Sequence, residues 1–116
     1  YIEVGHGIGL GASENTNNVA AATDLEYMQA TQRAISKNKW GMFCIPGIAT
    51  LDHVRMAADQ GMDFIRIGTN VTEIDRSEEF IGLARDLGME VFANFMNSYA
   101  LSPEDFAKLA RRSVTF

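Results

Sequence analysis

Gly61-Met62-Asp63-Phe64-Ile65-Arg66-Ile67-Gly68 and Gly88-Met89-Glu90-Val91-Phe92 contain the same junction twice. In each, a glycine closes a segment with apolar residues at helical spacing, and a methionine and an acidic residue lead into a short apolar run. Glycine just past a helix takes the left-handed backbone that other residues avoid. The runs that follow are too short for helices and read as strands. A helix that hands over to a strand in the same way twice defines a βα repeat.

The repeat extends outward from these junctions. Trp40 to Ile45 is a continuous apolar strand ended by Pro46-Gly47, and Thr50 caps a helix carrying Leu51, Val54, Ala57 and Ala58. Ile74 to Leu87 contains a helix with Phe80, Leu83, Ala84 and Leu87 on one face. Ser102-Pro103-Glu104-Asp105 is a helix start with a cap, a proline at the first turn and acidic residues there. Thr23-Asp24-Leu25-Glu26 is a capping box, followed by Leu25, Met28, Gln32 and Ile35 at helical spacing. Tyr1 to Val4 supplies another strand. Strand starts at Trp40, Asp63 and Glu90 set a period of about 25 residues, typical of (β/α)8 barrels. Buried parallel strands alternating with amphipathic helices predict an α/β fold, an incomplete TIM (β/α)8 barrel of about four βα units over residues 1–116. Both ends are expected to be cut from a longer chain. A small doubly wound sheet is the rival, and it predicts blunted edge strands that Tyr1 to Val4 does not resemble.

Composition narrows the function classes. The formal net charge is −5 and the ten Lys and Arg residues are scattered, which argues against a nucleic-acid groove. No apolar run approaches the roughly 20 residues that cross a bilayer. The single cysteine, Cys44, excludes an internal disulfide and fits a reducing cytoplasm. It has neither a local base nor metal-ligand spacing, so a buried inert thiol is expected.

In either parallel architecture, chemistry gathers at the carboxyl ends of the strands. Gly5-His6-Gly7-Ile8-Gly9-Leu10-Gly11 follows the first strand, but no helix opens there to receive a pyrophosphate. His6 is a candidate proton carrier or donor to a substrate oxygen; the alternative is a loop histidine bonded to backbone. Glu3 interrupts an apolar strand and needs a cation, for which Arg66 is one candidate. Phe43 and Ile45 alternate with Met42 and Cys44, so one of these pairs faces the barrel axis and shapes a pocket. Thr69, Asn70, Asn97 and Ser98 close later strands with neutral hydrogen-bonding groups suited to a small oxygen-rich ligand. His53, in the first turn of a helix, is expected on the solvated surface. Neither paired histidines nor a second cysteine gives a metal signature within this segment.

Ile2-Glu3-Val4-Gly5-His6-Gly7-Ile8-Gly9-Leu10 resembles the second-strand segment of the 4-hydroxy-2-oxovalerate aldolases. Thr23-Asp24-Leu25-Glu26, Pro46-Gly47-Ile48-Ala49-Thr50, Arg66-Ile67-Gly68-Thr69-Asn70-Val71-Thr72-Glu73 and Met96-Asn97-Ser98-Tyr99 follow in that family's order. The wider superfamily includes hydroxymethylglutaryl-CoA lyases and isopropylmalate synthases, all TIM barrels with a divalent metal. The resemblance implies strands two to five of an enzyme that splits a 4-hydroxy-2-oxo acid into pyruvate and an aldehyde. It also implies a divalent metal, Mn or Mg, whose ligands lie on strands outside this segment. The family's R-D-x-x-H run and H-x-H pair are both absent here, so the chain alone is expected to be inactive. Glu3 and His6 carry over as supporting residues, and Phe43, Ile45, Arg66, Thr69, Asn70, Asn97 and Ser98 as pocket residues. An acylating aldehyde dehydrogenase partner and a homo-oligomer are further implications. Asn70 and Tyr99 stand where the family often has histidine, and the loop from Ser13 to Val19 lacks its usual aromatics. A non-catalytic half-barrel that dimerises over its open edges is the reading from a different class.

Overall fold

A computed structural model describes all residues from Tyr1 to Phe116. Strands Ile2–Val4 (β1), Trp40–Cys44 (β2), Phe64–Asn70 (β3) and Glu90–Met96 (β4) form one parallel sheet in the order β1-β2-β3-β4. Helices Ala12–Asn15 (α1), Asp24–Ala34 (α2), Leu51–Asp59 (α3), Glu78–Asp86 (α4) and Pro103–Ser113 (α5) occupy the connections and the carboxyl end. Each strand lies beside its predecessor, so the winding never reverses. A doubly wound sheet requires such a reversal. The observed order is that of consecutive units in a (β/α)8 barrel.

One face of the sheet is covered. Met42, Cys44, Ile65 and Ile67 join Met28 of α2, Val54 and Ala57 of α3, and Phe80, Ile81 and Ala84 of α4 in one core. Met42 and Ile65 are 0% exposed. The α5 helix adds Leu109 to the margin of that core and sets Phe106 edge-on to Phe95, with ring centroids 6.3 Å apart. Residues one position out of phase, among them Glu3, Phe43, Arg66 and Phe92, share the other face, which no helix covers. β1 and β4 have no outer neighbour.

The caps form as their residue types require. The Thr23 hydroxyl accepts from Glu26 N at 3.2 Å, and the Glu26 carboxylate accepts from Thr23 N at 2.9 Å. Ser102 accepts from Asp105 N at 3.2 Å, with Pro103 opening α5. At the two matching junctions, Gly61 and Gly88 sit at φ 74° and 84°. Their acidic residues stitch each strand start to its neighbours. The Asp63 carboxylate accepts from Trp40 N at 3.0 Å, and Glu90 accepts from the Tyr1 hydroxyl at 2.8 Å and the Lys39 ammonium at 2.7 Å.

Three local features differ from expectation. One helical turn, Ala12–Asn15, follows the glycine loop directly, because Gly11 takes φ 74° and turns the chain early. The segment Val71–Ser77 is a 3-10 stretch kinked at Glu73, so the α-helix fills only Glu78–Asp86 of the run from Ile74 to Leu87. Leu25 lies toward solvent at 36% exposure, so Met28 carries the buried side of α2.

Candidate functional site

The uncovered face is organised by one long cation. Arg66 projects from the middle of β3 and reaches across β2 to Glu3 on β1. Its Nε and one terminal nitrogen donate to the two Glu3 oxygens, each at 2.6 Å. Such fork-on-fork pairing fixes both side chains in plane. Between them, the guanidinium lies 4.2 Å from the Phe43 ring centroid, a cation–π contact. The hydrogen bond to Glu3 raises the Arg66 pKa further above its already high ordinary value, so the group stays cationic. Both partners are about one-third exposed (35% and 36%), where an ion pair contributes at most about 1 kcal/mol. Covered by further protein, the same pair would cost about 3–5 kcal/mol to break from one side.

Two glycines make that face possible. A Cβ on Gly41 would lie 2.2 Å from the Phe64 carbonyl oxygen and 2.6 Å from its ring. A Cβ on Gly68 would lie 2.3 Å from the Phe43 ring. Each aromatic ring therefore fills the side-chain space of a glycine on the adjacent strand. Below them, Tyr1, Phe64 and Phe92 meet edge-on with centroids 5.3 to 5.8 Å apart. These rings, with Glu3, Arg66 and Glu90, line an open hollow of about 400 Å³.

At the carboxyl ends of β2 and β3 lies a smaller pocket of about 100 Å³, lined by Ile45, Pro46, Thr69, Asn70, Arg76 and Met96 among others. Thr69 is buried and its hydroxyl has no hydrogen-bond partner. An unsatisfied buried hydroxyl costs about 1–3 kcal/mol. Asn97, in left-handed backbone at φ 57°, donates its side-chain amide to the Asn70 side-chain oxygen. Arg76 reaches the Pro46 carbonyl at 3.3 Å and Glu73 at 3.5 Å.

The histidines are engaged elsewhere. His6 Nδ1 accepts from Ile8 N at 3.1 Å, and its Nε2 lies 3.1 Å from the Asn18 carbonyl, to which it donates. Both ring nitrogens therefore hold loop backbone. His53 is not on the solvated surface: its side chain is 11% exposed, against the expectation from its position in a first turn. Thr50 N donates to its Nδ1 at 3.0 Å, and its Nε2 meets Glu14 at 3.3 Å. Gly11 admits the ring, since a Cβ there would lie 2.8 Å from it. Cys44 is buried, and desolvation pushes its thiol up to about 12. No group of three or more His, Cys, Asp or Glu side chains is placed to hold a metal, so the residues present do not form a metal site.

The structure thus brings Glu3, Arg66 and Phe43 together on one face, and Ile45, Thr69, Asn70 and Asn97 together at the strand ends. Ser98 is exposed in the turn beyond β4, and His6 is tied down in its loop. Arg76 was not singled out by sequence, because its helical-phase position inside an acidic stretch looks like an ordinary solvated face. Asp24 was seen only as a helix start, yet it is buried and accepts from Gly11 N at 2.7 Å.

No protein-family profile matches the chain. Curated proteins do. It is 43% identical over 110 residues to the 4-hydroxy-2-oxovalerate aldolase of Pelotomaculum thermopropionicum, covering 95% of the chain and 32% of that relative. It is 38% identical over 115 residues to the 4-hydroxy-2-oxovalerate aldolase of Streptomyces griseus, covering 99% of the chain and 34% of the relative. It is 39% identical over 113 residues to 4-hydroxy-2-oxovalerate aldolase 6 of Rhodococcus jostii, covering 97% of the chain and 32% of the relative. The chain therefore spans about a third of the length of the curated relatives it matches.

Proposed function

We propose that this chain, which along nearly all its length matches one third of a 4-hydroxy-2-oxovalerate aldolase, is the part of such an enzyme that builds one side of its substrate chamber. The observation that carries the reading is identity near 40% to several proteins of that name over 95–99% of the chain. The reaction is cleavage of 4-hydroxy-2-oxovalerate or a close 4-hydroxy-2-oxo acid. A base outside this segment takes the 4-hydroxyl proton, and the bond between carbons 3 and 4 breaks. The electron pair stays on the three-carbon fragment as the enolate of pyruvate, and a proton returned to carbon 3 gives pyruvate. The 4-carbon leaves as an aldehyde.

This chain's own residues bind and shape in that scheme. Phe43, held by Arg66 above and the Gly68 backbone below, forms a rigid apolar wall. Ile45 continues the wall into the polar pocket at the strand ends. Glu3 neutralises Arg66, so the interior charge is balanced before a substrate arrives. His6 secures the loop after β1 and has no free nitrogen for proton transfer. The reading includes dependence on Mn²⁺ or Mg²⁺ bound by residues outside the segment, and hand-over of the aldehyde to an acylating dehydrogenase. This chain's own side chains do not assemble a site for that metal.

The test is pyruvate release from 4-hydroxy-2-oxovalerate. The intact enzyme carrying this segment should release pyruvate, lose the activity on chelation and regain it with Mn²⁺ or Mg²⁺. The 116-residue chain alone should release none. An intact enzyme that instead forms its product only with an acyl-CoA would place the segment in a lyase or condensing enzyme of the same superfamily.

A further inference from the structure

We propose that His53 is a positioning residue: it braces the loop after β1 against the amino end of α3 and, through that loop, holds Phe43 in place. Its two ring nitrogens serve two different elements. Nδ1 accepts from Thr50 N at 3.0 Å, with the Thr50 hydroxyl 2.9 Å away, which is the return bond of the α3 capping box. A backbone N–H can only donate, so Nδ1 carries no proton and the ring proton sits on Nε2. That proton is directed to α1, where the Glu14 carboxylate lies 3.3 Å away. Between the two contacts the ring occupies the space over Gly11, where a Cβ would come within 2.8 Å of its Cε1.

The braced loop is in direct backbone contact with β2. Gly9 and Gly11 take φ 93° and 74°, which brings the chain close enough for the Leu10 N–H to donate to the Phe43 carbonyl at 2.9 Å. A Cβ on Gly9 would lie 2.5 Å from that same oxygen. Two further bonds fix the loop on either side of the brace. Buried Asp24 accepts from Gly11 N at 2.7 Å, and Asn15 donates to the Ile48 carbonyl at 2.8 Å. The path from His53 to Phe43 is therefore Gly11, Leu10 and one hydrogen bond. His53 lines neither hollow, so it acts through the loop. The brace stands on this geometry alone. Its effect on turnover rests on the aldolase reading, in which Phe43 walls the substrate chamber.

The experiment compares the intact enzyme carrying this segment with its His53→Glu, Glu14→Ala and Glu14→Gln variants. Hydrogen exchange and steady-state kinetics with 4-hydroxy-2-oxovalerate are measured on each. His53→Glu keeps an acceptor for Thr50 N but sets a second carboxylate against Glu14. Exchange in the peptide spanning Leu10 to Asn15 should quicken about tenfold, as for loss of one hydrogen bond, while α3 keeps its protection. Glu14→Ala, at a side chain 62% exposed, should release the loop in the same way. Glu14→Gln, whose amide oxygen still accepts from Nε2, should hold most of the protection. In the two released variants KM should rise about threefold with kcat nearly unchanged, because a binding wall moves and the reacting groups do not. Unchanged loop exchange in both overturns the proposal. So does exchange that quickens equally in α3, since His53 would then be a cap and nothing more. A released loop with an unmoved KM breaks the link to Phe43 and overturns the positioning role. If His53→Glu does not fold, the two Glu14 variants decide the matter by themselves. Loop release in an enzyme that frees no pyruvate from any 4-hydroxy-2-oxo acid defeats the aldolase reading and leaves the brace standing.

Discussion

The two faces of the sheet use the same four strands in different ways. On the helix side, Met42, Cys44, Ile65 and Ile67 are at most 1% exposed and touch apolar neighbours from three helices. On the other side, Glu3, Arg66 and Phe43 shelter one another, and Phe92, edge-on to Tyr1 and Phe64, remains 40% exposed. The first face derives its stability from burial, which scales with area and makes a polar group without a partner costly. The second depends on shape: rings seated on glycines, and a cation laid across a ring to a carboxylate. Burial holds the fold together, while the open face keeps polar chemistry where a ligand can meet it.

Substitution of one residue from each face is the strongest way to break that contrast. Ile65→Ala, on the helix side, should cost about 3–4 kcal/mol in denaturant unfolding, since it leaves a cavity among packed helices. Phe92→Ala, on the open side, should cost about 1 kcal/mol, chiefly its edge-on ring contacts. Equal losses would refute the division. An alkaline titration sharpens it. The Cys44 thiol is raised to about 12 in the fold, whereas it ionises near its ordinary value once unfolded. The stability it contributes is complete below pH 9 and falls as pH rises toward 12. By pH 10 the loss should be about 1.4 kcal/mol relative to Cys44→Ala, read as a shift in the unfolding midpoint. A pH-independent difference would mean that water reaches the thiol. The smallest effect is on the open face: Glu3→Gln should cost at most about 1 kcal/mol, and 1 M salt should erase most of it. A loss that salt does not touch would show that the pair is shielded from solvent.

Local chemistry was legible in the sequence, and long-range seating was not. The capping box at Thr23 and Glu26, the helix start at Ser102 and Pro103, and the glycine closures at Gly61 and Gly88 each depend on residues within a few positions of one another. Strand order followed from the repeat period. Arg66 was one candidate partner for Glu3, because a carboxylate in an apolar strand needs a cation, and the structure pairs the two. What the pattern does not encode is that Gly41 and Gly68 are receptacles for rings on neighbouring strands, since that needs the register between β2 and β3. His53 was misplaced for the same reason. Its burial comes from Gly11, forty-odd positions earlier, and no periodicity within α3 reports it. At the strand ends, residue types marked Thr69 and Asn70, but the convergence with Arg76 depends on the kink at Glu73.

The outer margins of β1 and β4 have a practical consequence. Each presents a row of amide and carbonyl groups at the spacing that another extended segment would match. Ile2 and Val4 flank Glu3 on one margin, and Val91 to Met96 includes no charged residue on the other. When the chain is handled by itself in concentrated solution, these rims can act as templates for edge-to-edge strand pairing. Particle size should then grow with protein concentration, and a lysine placed at Ala93 should slow that growth.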